Sequence, residues 1–195
     1  GKLYFVADGT YTSGEQGVLY VYDPSDGSVA RVRVATNPLL PRITVPIVQV
    51  DDMIAYEGRL FIAGRLEGGT RRALIRYNPA DGSLAVIDDG TKPLDLCAFG
   101  GKIVFSGGLT YDDNRELFYV SALGTFTAGD VGHYELNSAQ SSSPRGFVEY
   151  NGYLYFGARG YVLSADDGRE LWRWDGSTAP TKAAALSKSA AGYDP

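Results

Sequence analysis

The chain of 195 residues has a single cysteine, Cys97, and a single histidine, His133. One cysteine excludes an internal disulfide framework, and one histidine excludes histidine-rich zinc sites and any relay between two histidines. No apolar stretch approaches the roughly 20 residues that a membrane-spanning helix needs. A Gly-x-Ser-x-Gly elbow and a phosphate-binding glycine motif are also missing. The sequence therefore predicts no membrane span, no metal site, no cofactor and no catalytic residues.

Positive charge is also scarce, because 18 lysines and arginines stand against 23 aspartates and glutamates. The formal net charge of −5 predicts no nucleic-acid partner, since a nucleic-acid backbone repels a net acidic protein. Glycine and tyrosine are abundant instead, with 25 and 14 copies. This composition favours many turns that join half-buried strands, and it fits a helix-dominated fold poorly.

Four aromatic-rich apolar strands, each opened by a glycine, recur along the chain at intervals of about 40 to 60 residues. They begin at residues 1, 58, 101 and 152. Such spacing is in or near the range of propeller blades, in which one repeat cannot bury its own faces and stacks on its neighbours. The sequence predicts an all-β chain, a β-propeller of four repeats with four-stranded antiparallel blades.

We expect one propeller domain over residues 1–195. The repeats are predicted at 1–49, 50–92, 93–144 and 145–177, with 178–195 as an inter-blade or tail segment. In the third repeat the fourth strand is expected at 125–131. In the fourth repeat, a turn at 166–168 is expected to separate a third strand at 161–165 from a fourth strand at 169–174.

The first repeat lacks an opening strand, and the chain stops where another one is expected. This pattern favours a partial propeller excerpted from a longer one. The alternative is a four-bladed ring whose last sheet is completed by another segment or chain, or left three-stranded. A β-sandwich is the second fold hypothesis. It ranks lower because strands such as 3–6 and 153–156 are apolar on both alternating faces, which indicates cover on both sides.

The fourth repeat carries the closest likeness to known repeats. Residues 151–157 and 160–172 resemble the repeat of quinoprotein-like propellers: a strand, a glycine, a strand, an acidic turn with glycine, and Leu171-Trp172. Continued to residue 177, they also resemble the Glu-Leu-Trp repeat of bacterial extracellular propellers. The other three repeats lack the tryptophan. The resemblance implies a fold and carries no activity with it.

Loop lengths indicate where binding residues lie. The turns after the first and third strands of each repeat are short, and all long connections fall at the opposite end, which we name the long-loop end. Tyrosine and arginine in such loops suit protein or glycan recognition. The candidate ligand-binding residues are Tyr11, Arg42, Arg65, Arg71, Tyr111, Asp112, Arg115, His133 and Tyr134.

The function predicted from these features is a non-enzymatic binding or structural module. It would display its long loops to a protein or glycan within a larger extracellular, surface or virion assembly. The alternative is part of a quinoprotein-like or glycan-active propeller enzyme whose site lies in other blades.

Overall fold

The structure is a computed structural model that describes residues 1–8, 17–35, 44–108, 114–123, 130–137, 141–162 and 165–184. The chain divides into two compact units, Gly1–Lys92 and Pro93–Pro195. Their boundary coincides with the boundary expected between the second and third repeats. A single domain over 1–195 stays a prediction. Within the described ranges, no helix has the length and apolar character to span a membrane.

The first sheet of the first unit has three antiparallel strands, as expected from the missing opening strand. They are β1 (Leu3–Ala7), β2 (Val18–Asp23) and β3 (Ser28–Arg31). The turn before β3 is closed by Asp23, whose carboxylate accepts hydrogen bonds from the hydroxyl and N–H of Ser25 at 2.5 and 3.0 Å. These bonds, followed by one from Lys2, lower the pKa of Asp23 to about 2. The acidic residue therefore serves the turn.

The second sheet of the first unit has five strands. They are β4 (Arg33–Ala35), β5 (Thr44–Tyr56), β6 (Arg59–Leu66), β7 (Ala73–Tyr77) and β8 (Leu84–Asp88), in that order. The residue pattern predicts a strand at 50–56, and β5 begins six residues earlier, because its first half pairs with β4 and with the end of β6. Its register shifts between Val48 and Asp52, as at a β-bulge.

One hydrophobic core joins the first and second sheets. Leu19 of β2, the central strand of the first sheet, and Val32, which follows β3, pack with Ile62 and Ile75 of the second sheet, and all four are buried. The rings of Tyr4 and Tyr77 meet edge to face, 6.0 Å apart. Burial raises the pKa of Tyr77 to about 12, because it disfavours the charged phenolate.

The second unit contains two four-stranded antiparallel sheets. The third sheet consists of β9 (Leu94–Phe99), β10 (Lys102–Gly108), β11 (Arg115–Ser121) and β12 (Gly132–Tyr134). The fourth sheet consists of β13 (Arg145–Tyr150), β14 (Tyr153–Val162), β15 (Ala165–Trp174) and β16 (Thr181–Ala184). Consecutive strands pair throughout, as in a propeller blade. A β-sandwich normally needs Greek-key connections, so this order favours blades.

The fourth sheet corrects the strand assignment expected for the fourth repeat. Residues 166–168 form no turn between two strands, since β15 runs through them and pairs with β14 from Arg169 to Ala165. Gly168 has a φ of +72°, and the register shifts beside it, so the glycine forms a bulge within the strand pair. The fourth strand is β16, which lies in the segment expected to be an inter-blade or tail region.

The fourth strand of the third sheet also differs from expectation. It is β12 at Gly132–Tyr134, which pairs with Leu117, Phe118 and Tyr119 of β11. Part of the predicted strand, residues 125–129, lies outside the described residues. Asp130 and Val131 are described and belong to no strand.

The one-sided loop distribution is therefore wrong for the second unit. The connections β11–β12 (122–131) and β15–β16 (175–180) are long and lie at the end expected to carry only tight turns. The β14–β15 connection at the long-loop end is only residues 163–164. Asp175 organises the 175–180 connection by accepting the N–H groups of Ser177 and Thr178, both at 2.8 Å. These bonds hold the pKa of Asp175 well below its usual range.

Candidate functional site

Four of the predicted binding residues lie outside the described residues. These are Tyr11, Arg42, Tyr111 and Asp112. The structure describes the other five, which fall in both units. They are Arg65, Arg71, Arg115, His133 and Tyr134.

The two arginines of the first unit lie close to the loop between β6 and β7. Arg71 is exposed in that loop, whereas Arg65 is half-buried near the end of β6. The Nε atom of Arg65 is buried, and no hydrogen-bond partner for it occurs among the described residues. The residue pattern predicts a polar loop at 65–71, but β6 continues to Leu66, so the loop is shorter.

Arg115 is engaged in holding the third sheet together. Its Nε donates to the hydroxyl of Ser106 at 3.1 Å, and its Nη2 donates to the Ser106 carbonyl at 2.8 Å. Its backbone N–H donates to the Ser141 hydroxyl at 2.8 Å. Most of its N–H donors thus bond within the protein. Arg115 therefore links β10 to residues 141–144, which precede β13.

A buried carboxylate follows Arg115 in the chain. Glu116 accepts the Ser142 hydroxyl at 2.6 Å, the Ser142 N–H at 3.1 Å and the Leu136 N–H at 2.8 Å. Burial raises the pKa of Glu116, and these hydrogen bonds oppose the rise. Both Glu116 and Ser142 are buried. The network fixes the connection between the third and fourth sheets.

The remaining two predicted residues lie on strand β12 and not in a loop. The His133 ring stacks on Phe118 at a centroid distance of 5.2 Å. The Tyr134 ring stacks on Tyr119 at 5.5 Å and meets Trp174 edge to face at 5.7 Å. Tyr134 therefore belongs to the aromatic core of the second unit. His133 and Tyr134 are neighbours on β12, so their side chains point to opposite faces of the third sheet and do not form one site together.

A different surface brings tyrosine and arginine together, and we name it the tyrosine–arginine face. It is the side of the fourth sheet that lies opposite to the buried tryptophans. Its residues lie on one side of the sheet. Side chains at directly paired positions, and at every second position along a strand, point to the same side. The residues of the face are Arg145, Val148, Tyr150, Tyr153, Tyr155, Arg159, Arg169 and Arg173.

Most of this face is open to solvent. Val148, Tyr150 and Tyr153 are 59%, 63% and 37% exposed, although apolar and aromatic side chains of this size are usually covered. Tyr155 is half-buried between them, with its ring centre 6.3 Å from that of Tyr150 and 6.4 Å from that of Tyr153. The Arg173 guanidinium lies 5.1 Å above the Tyr153 ring, in a cation–π contact.

Positive charge is concentrated at one end of the same face. Arg159 pairs directly with Arg169 across the strands, an arrangement of like charges that costs stability. Burial, followed by the charges of Arg145 and Arg159, lowers the pKa of Arg169. Arg169 donates through Nη1 to the carbonyls of Ser143 and Gly157 at 2.8 and 2.9 Å. Arg145, Arg159 and Arg173 are exposed.

The arrangement is suited to binding an anionic partner that also presents apolar surface to the tyrosine rings. Among the described side chains at the register positions of this face, none is a carboxylate. The rings offer flat apolar surface, and each guanidinium offers a planar fork of donors that matches a carboxylate or sulfate group. Elsewhere in the described ranges, no group of three histidine, cysteine, aspartate or glutamate residues is placed to hold a metal ion.

Sequence reasoning missed this face because its members come from three different strands. A signal was present in the alternation of Val148 with Tyr150 and of Tyr153 with Tyr155. The arginines join them only through the register, which residue spacing does not reveal.

Comparison with known proteins bears on the fold. A scan of protein-family models and a search of the curated proteins find no match. One similar solved structure comes from a structural and mechanistic analysis of two prolyl endopeptidases concerned with inter-domain dynamics in catalysis and specificity. The TM-score is 0.54 and the sequence identity 11%, with 86% of this chain and 23% of that chain covered.

The fold is that of a β-propeller. The consecutive antiparallel strand order of the sheets and this propeller-containing neighbour agree on the assignment. At this identity the likeness extends to the fold alone. This chain spans about a quarter of the neighbour's length.

Proposed function

We propose that this chain is a non-enzymatic recognition module that binds an acidic polysaccharide through the tyrosine–arginine face of its fourth sheet. The observation that carries the proposal is the exposure of tyrosine rings and arginines on one side of the same three strands. A module of this kind would act in an extracellular, cell-surface or virion assembly. Binding by the loops at the long-loop end stays a separate prediction.

The chemistry of the face favours a sugar polymer with carboxylate or sulfate groups. Each exposed tyrosine ring offers a flat apolar surface to the C–H face of a sugar ring, at little cost in side-chain entropy. Arg159 and Arg169 lie at one end of the face, whereas Arg173 lies among the tyrosines, directly paired with Tyr155. Arg169 and Arg173 are four positions apart on β15, about 13 Å at a strand rise of about 3.3 Å. A repeating anionic polymer that crosses the rings can reach both groups of arginines at once.

Local charge explains how an acidic protein attracts an anionic ligand. The net charge of −5 repels anions at long range, but salt screens that repulsion beyond about 8 Å at physiological ionic strength. The contact itself is governed by the arginines of the face. An anion between Arg145, Arg159 and Arg169 would also relieve their mutual repulsion.

The test is binding of defined polymers to the purified chain by isothermal titration calorimetry. The probes are heparin, polygalacturonate, neutral dextran, poly-glutamate and oligo-dT. We expect heparin or polygalacturonate to bind and dextran not to bind. Arg145→Ala and Arg173→Ala should each weaken that binding by about tenfold, the equivalent of roughly one lost charge-assisted contact.

The matched control is Arg33→Ala, which removes an exposed arginine in β4 and changes the net charge equally. It should leave the polysaccharide affinity within about twofold. Equal weakening by Arg33→Ala and Arg173→Ala would mean that total charge decides binding. It would contradict binding through the tyrosine–arginine face. Tighter binding of poly-glutamate or oligo-dT than of either acidic polysaccharide would replace the proposed partner by a protein or a nucleic acid.

A further inference from the structure

A small cavity opens on the second sheet of the first unit, far along the chain from the tyrosine–arginine face. Its volume is about 150 Å³. It lies where the turn between β7 and β8 meets the start of β6. The lining residues are Arg59, Arg76, Asn78, Ser83, Leu84 and Ala85.

Two guanidinium groups dominate the lining. Arg76 pairs with Phe61 and Ala85 on its two sides, and Arg59 lies two positions before Phe61, so register places both arginines on one face of the sheet. Arg59 is held by a hydrogen bond from its Nη1 to the Glu57 carbonyl at 3.3 Å. Both side chains are half-buried. Burial, followed by the charge of Arg59, lowers the pKa of Arg76.

The opposite wall of the cavity is a rigid turn. The Asn78 N–H donates to the Ser83 carbonyl at 2.8 Å, and the Gly82 N–H donates to the Asn78 carbonyl at 2.9 Å. The Asn78 side-chain oxygen accepts the Ala80 N–H at 3.2 Å. The wall is thus formed before any ligand arrives, which keeps the ordering cost of binding low.

The carboxylate within this turn is engaged by the turn itself. Asp81 accepts the Ser83 N–H at 2.8 Å. Hydrogen bonds from Ser83 lower the pKa of Asp81. The charge of Arg59 acts on Arg76, so the two guanidinium groups lie within electrostatic range of each other beside the cavity.

We propose that this cavity is a binding site for a tetrahedral oxyanion, a phosphate or sulfate group, held between Arg59 and Arg76. Arginine binds such groups through paired N–H donors of fixed geometry, and two arginines can bind one dianion from two sides. The polar wall at Asn78 and Ser83 suits the remaining oxygens. The group is either the free ion or a substituent on a larger ligand.

The experiment measures the midpoint of thermal unfolding of the whole chain as inorganic phosphate is added at constant ionic strength. Binding to the folded state raises the midpoint as phosphate concentration exceeds the dissociation constant. We expect a rise for the natural chain and for Arg33→Ala. Arg59→Gln and Arg76→Lys should lower the phosphate affinity by at least about tenfold, since each removes a guanidinium fork.

Calorimetric titration of Arg59→Gln with phosphate provides a second readout if Arg76→Lys does not fold. The source of the group is separated by titrating glucose 6-phosphate and O-phosphoserine in parallel. Phosphate binding that depends on Arg59 supports the free ion, and binding of only the substituted ligands supports a substituent. The proposed oxyanion site would be wrong if phosphate shifts the unfolding midpoint equally in the natural chain and in both variants. It would also be wrong if none of the probes binds.

The two proposals can be separated with the same variants. Arg59→Gln should leave heparin and polygalacturonate affinity unchanged, and Arg173→Ala should leave the phosphate response unchanged. Loss of both activities in either variant would contradict the assignment of two independent sites.

Discussion

The two faces of the fourth sheet differ sharply, although the same strands build both. On one face Leu154, Phe156 and Trp174 are buried in the core of the second unit. On the other face Val148 and Tyr150 are more than half exposed. Both faces are aromatic, so composition alone does not distinguish them. Burial assigns the first face to stability, whereas the second face leaves large side chains open to solvent.

The difference also shows in the polar groups around the rings. On the buried face, the Trp174 N–H donates to the Thr178 carbonyl at 2.6 Å and the Trp172 N–H to the Ala158 carbonyl at 3.2 Å. Each indole is thereby satisfied, as a buried aromatic must be. On the exposed face, arginines surround the rings instead. The contrast predicts that substitutions on the two faces change different measurable quantities.

The largest effect is expected from Trp174→Ala. The ring packs against Phe99, Tyr119 and Tyr134 at centroid distances of 6.1, 5.1 and 5.7 Å, and the residue is 1% exposed. Its removal leaves a cavity and an unpaired Thr178 carbonyl, so we expect the free energy of unfolding to fall by about 3–5 kcal/mol. Urea unfolding followed by tyrosine fluorescence measures this loss.

Trp172→Phe supplies the control for the tryptophan substitution, because it keeps an aromatic ring at the neighbouring buried position. It should cost clearly less than Trp174→Ala. If Trp174→Ala lowers the free energy of unfolding by less than about 1 kcal/mol, the two faces do not differ as argued. That result would contradict the assignment of Trp174 to the core of the second unit.

A smaller effect is expected from Ser142→Ala, which removes a donor from the buried carboxylate of Glu116. We expect a loss of about 1–3 kcal/mol at neutral pH, because the carboxylate would lack its shortest hydrogen bond. The pKa of Glu116 is already raised, so its contribution to stability is greatest below the unfolded pKa and falls as pH rises through the folded pKa. The variant raises that pKa further, and its deficit should therefore grow with rising pH.

Ser141→Ala is the matched control in the same connection. Its hydroxyl interacts with the backbone of Arg115 and with the Ser143 hydroxyl and makes no bond to Glu116. Its cost should stay nearly constant with pH. A parallel pH dependence for both variants would show that Glu116 is not the titrating group. Denaturant unfolding between pH 4 and 8 provides the comparison.

The sequence predicted the strands well wherever a glycine turn and an alternating apolar run coincided. The residue pattern predicts strands at 18–23, 94–99 and 145–150, and the strands β2, β9 and β13 begin and end at these residues. The turn predicted at 166–168 was wrong, because an acidic residue followed by glycine also suits a β-bulge. Only the pairing with β14 decides between a turn and a bulge. Local residues carry no information about that pairing.

The candidate site was harder to predict than the fold. Arg115 and Tyr134 have the chemistry of ligand-binding residues and were predicted at the long-loop end, but they lie on strands, where Arg115 bonds to Ser106 and Tyr134 joins the aromatic core. Whether an arginine faces solvent or clamps a strand depends on contacts that are distant in sequence. The tyrosine–arginine face depends on the strand register, which pairs Arg173 with Tyr155 and places Arg145 and Arg159 on the same side of the sheet.

The smallest effect on stability is expected from Tyr150→Ser, on the exposed side of the same sheet. The side chain is 63% exposed and its nearest ring neighbour is Tyr155 at 6.3 Å, so we expect the free energy of unfolding to change by no more than about 0.5 kcal/mol. The same variant should weaken acidic-polysaccharide binding several-fold, because it removes a stacking surface. Unfolding and titration of one preparation test both statements. A stability loss comparable to that of Trp174→Ala would mean that this face is also part of a core. The Tyr150 ring would then not be available to bind a ligand.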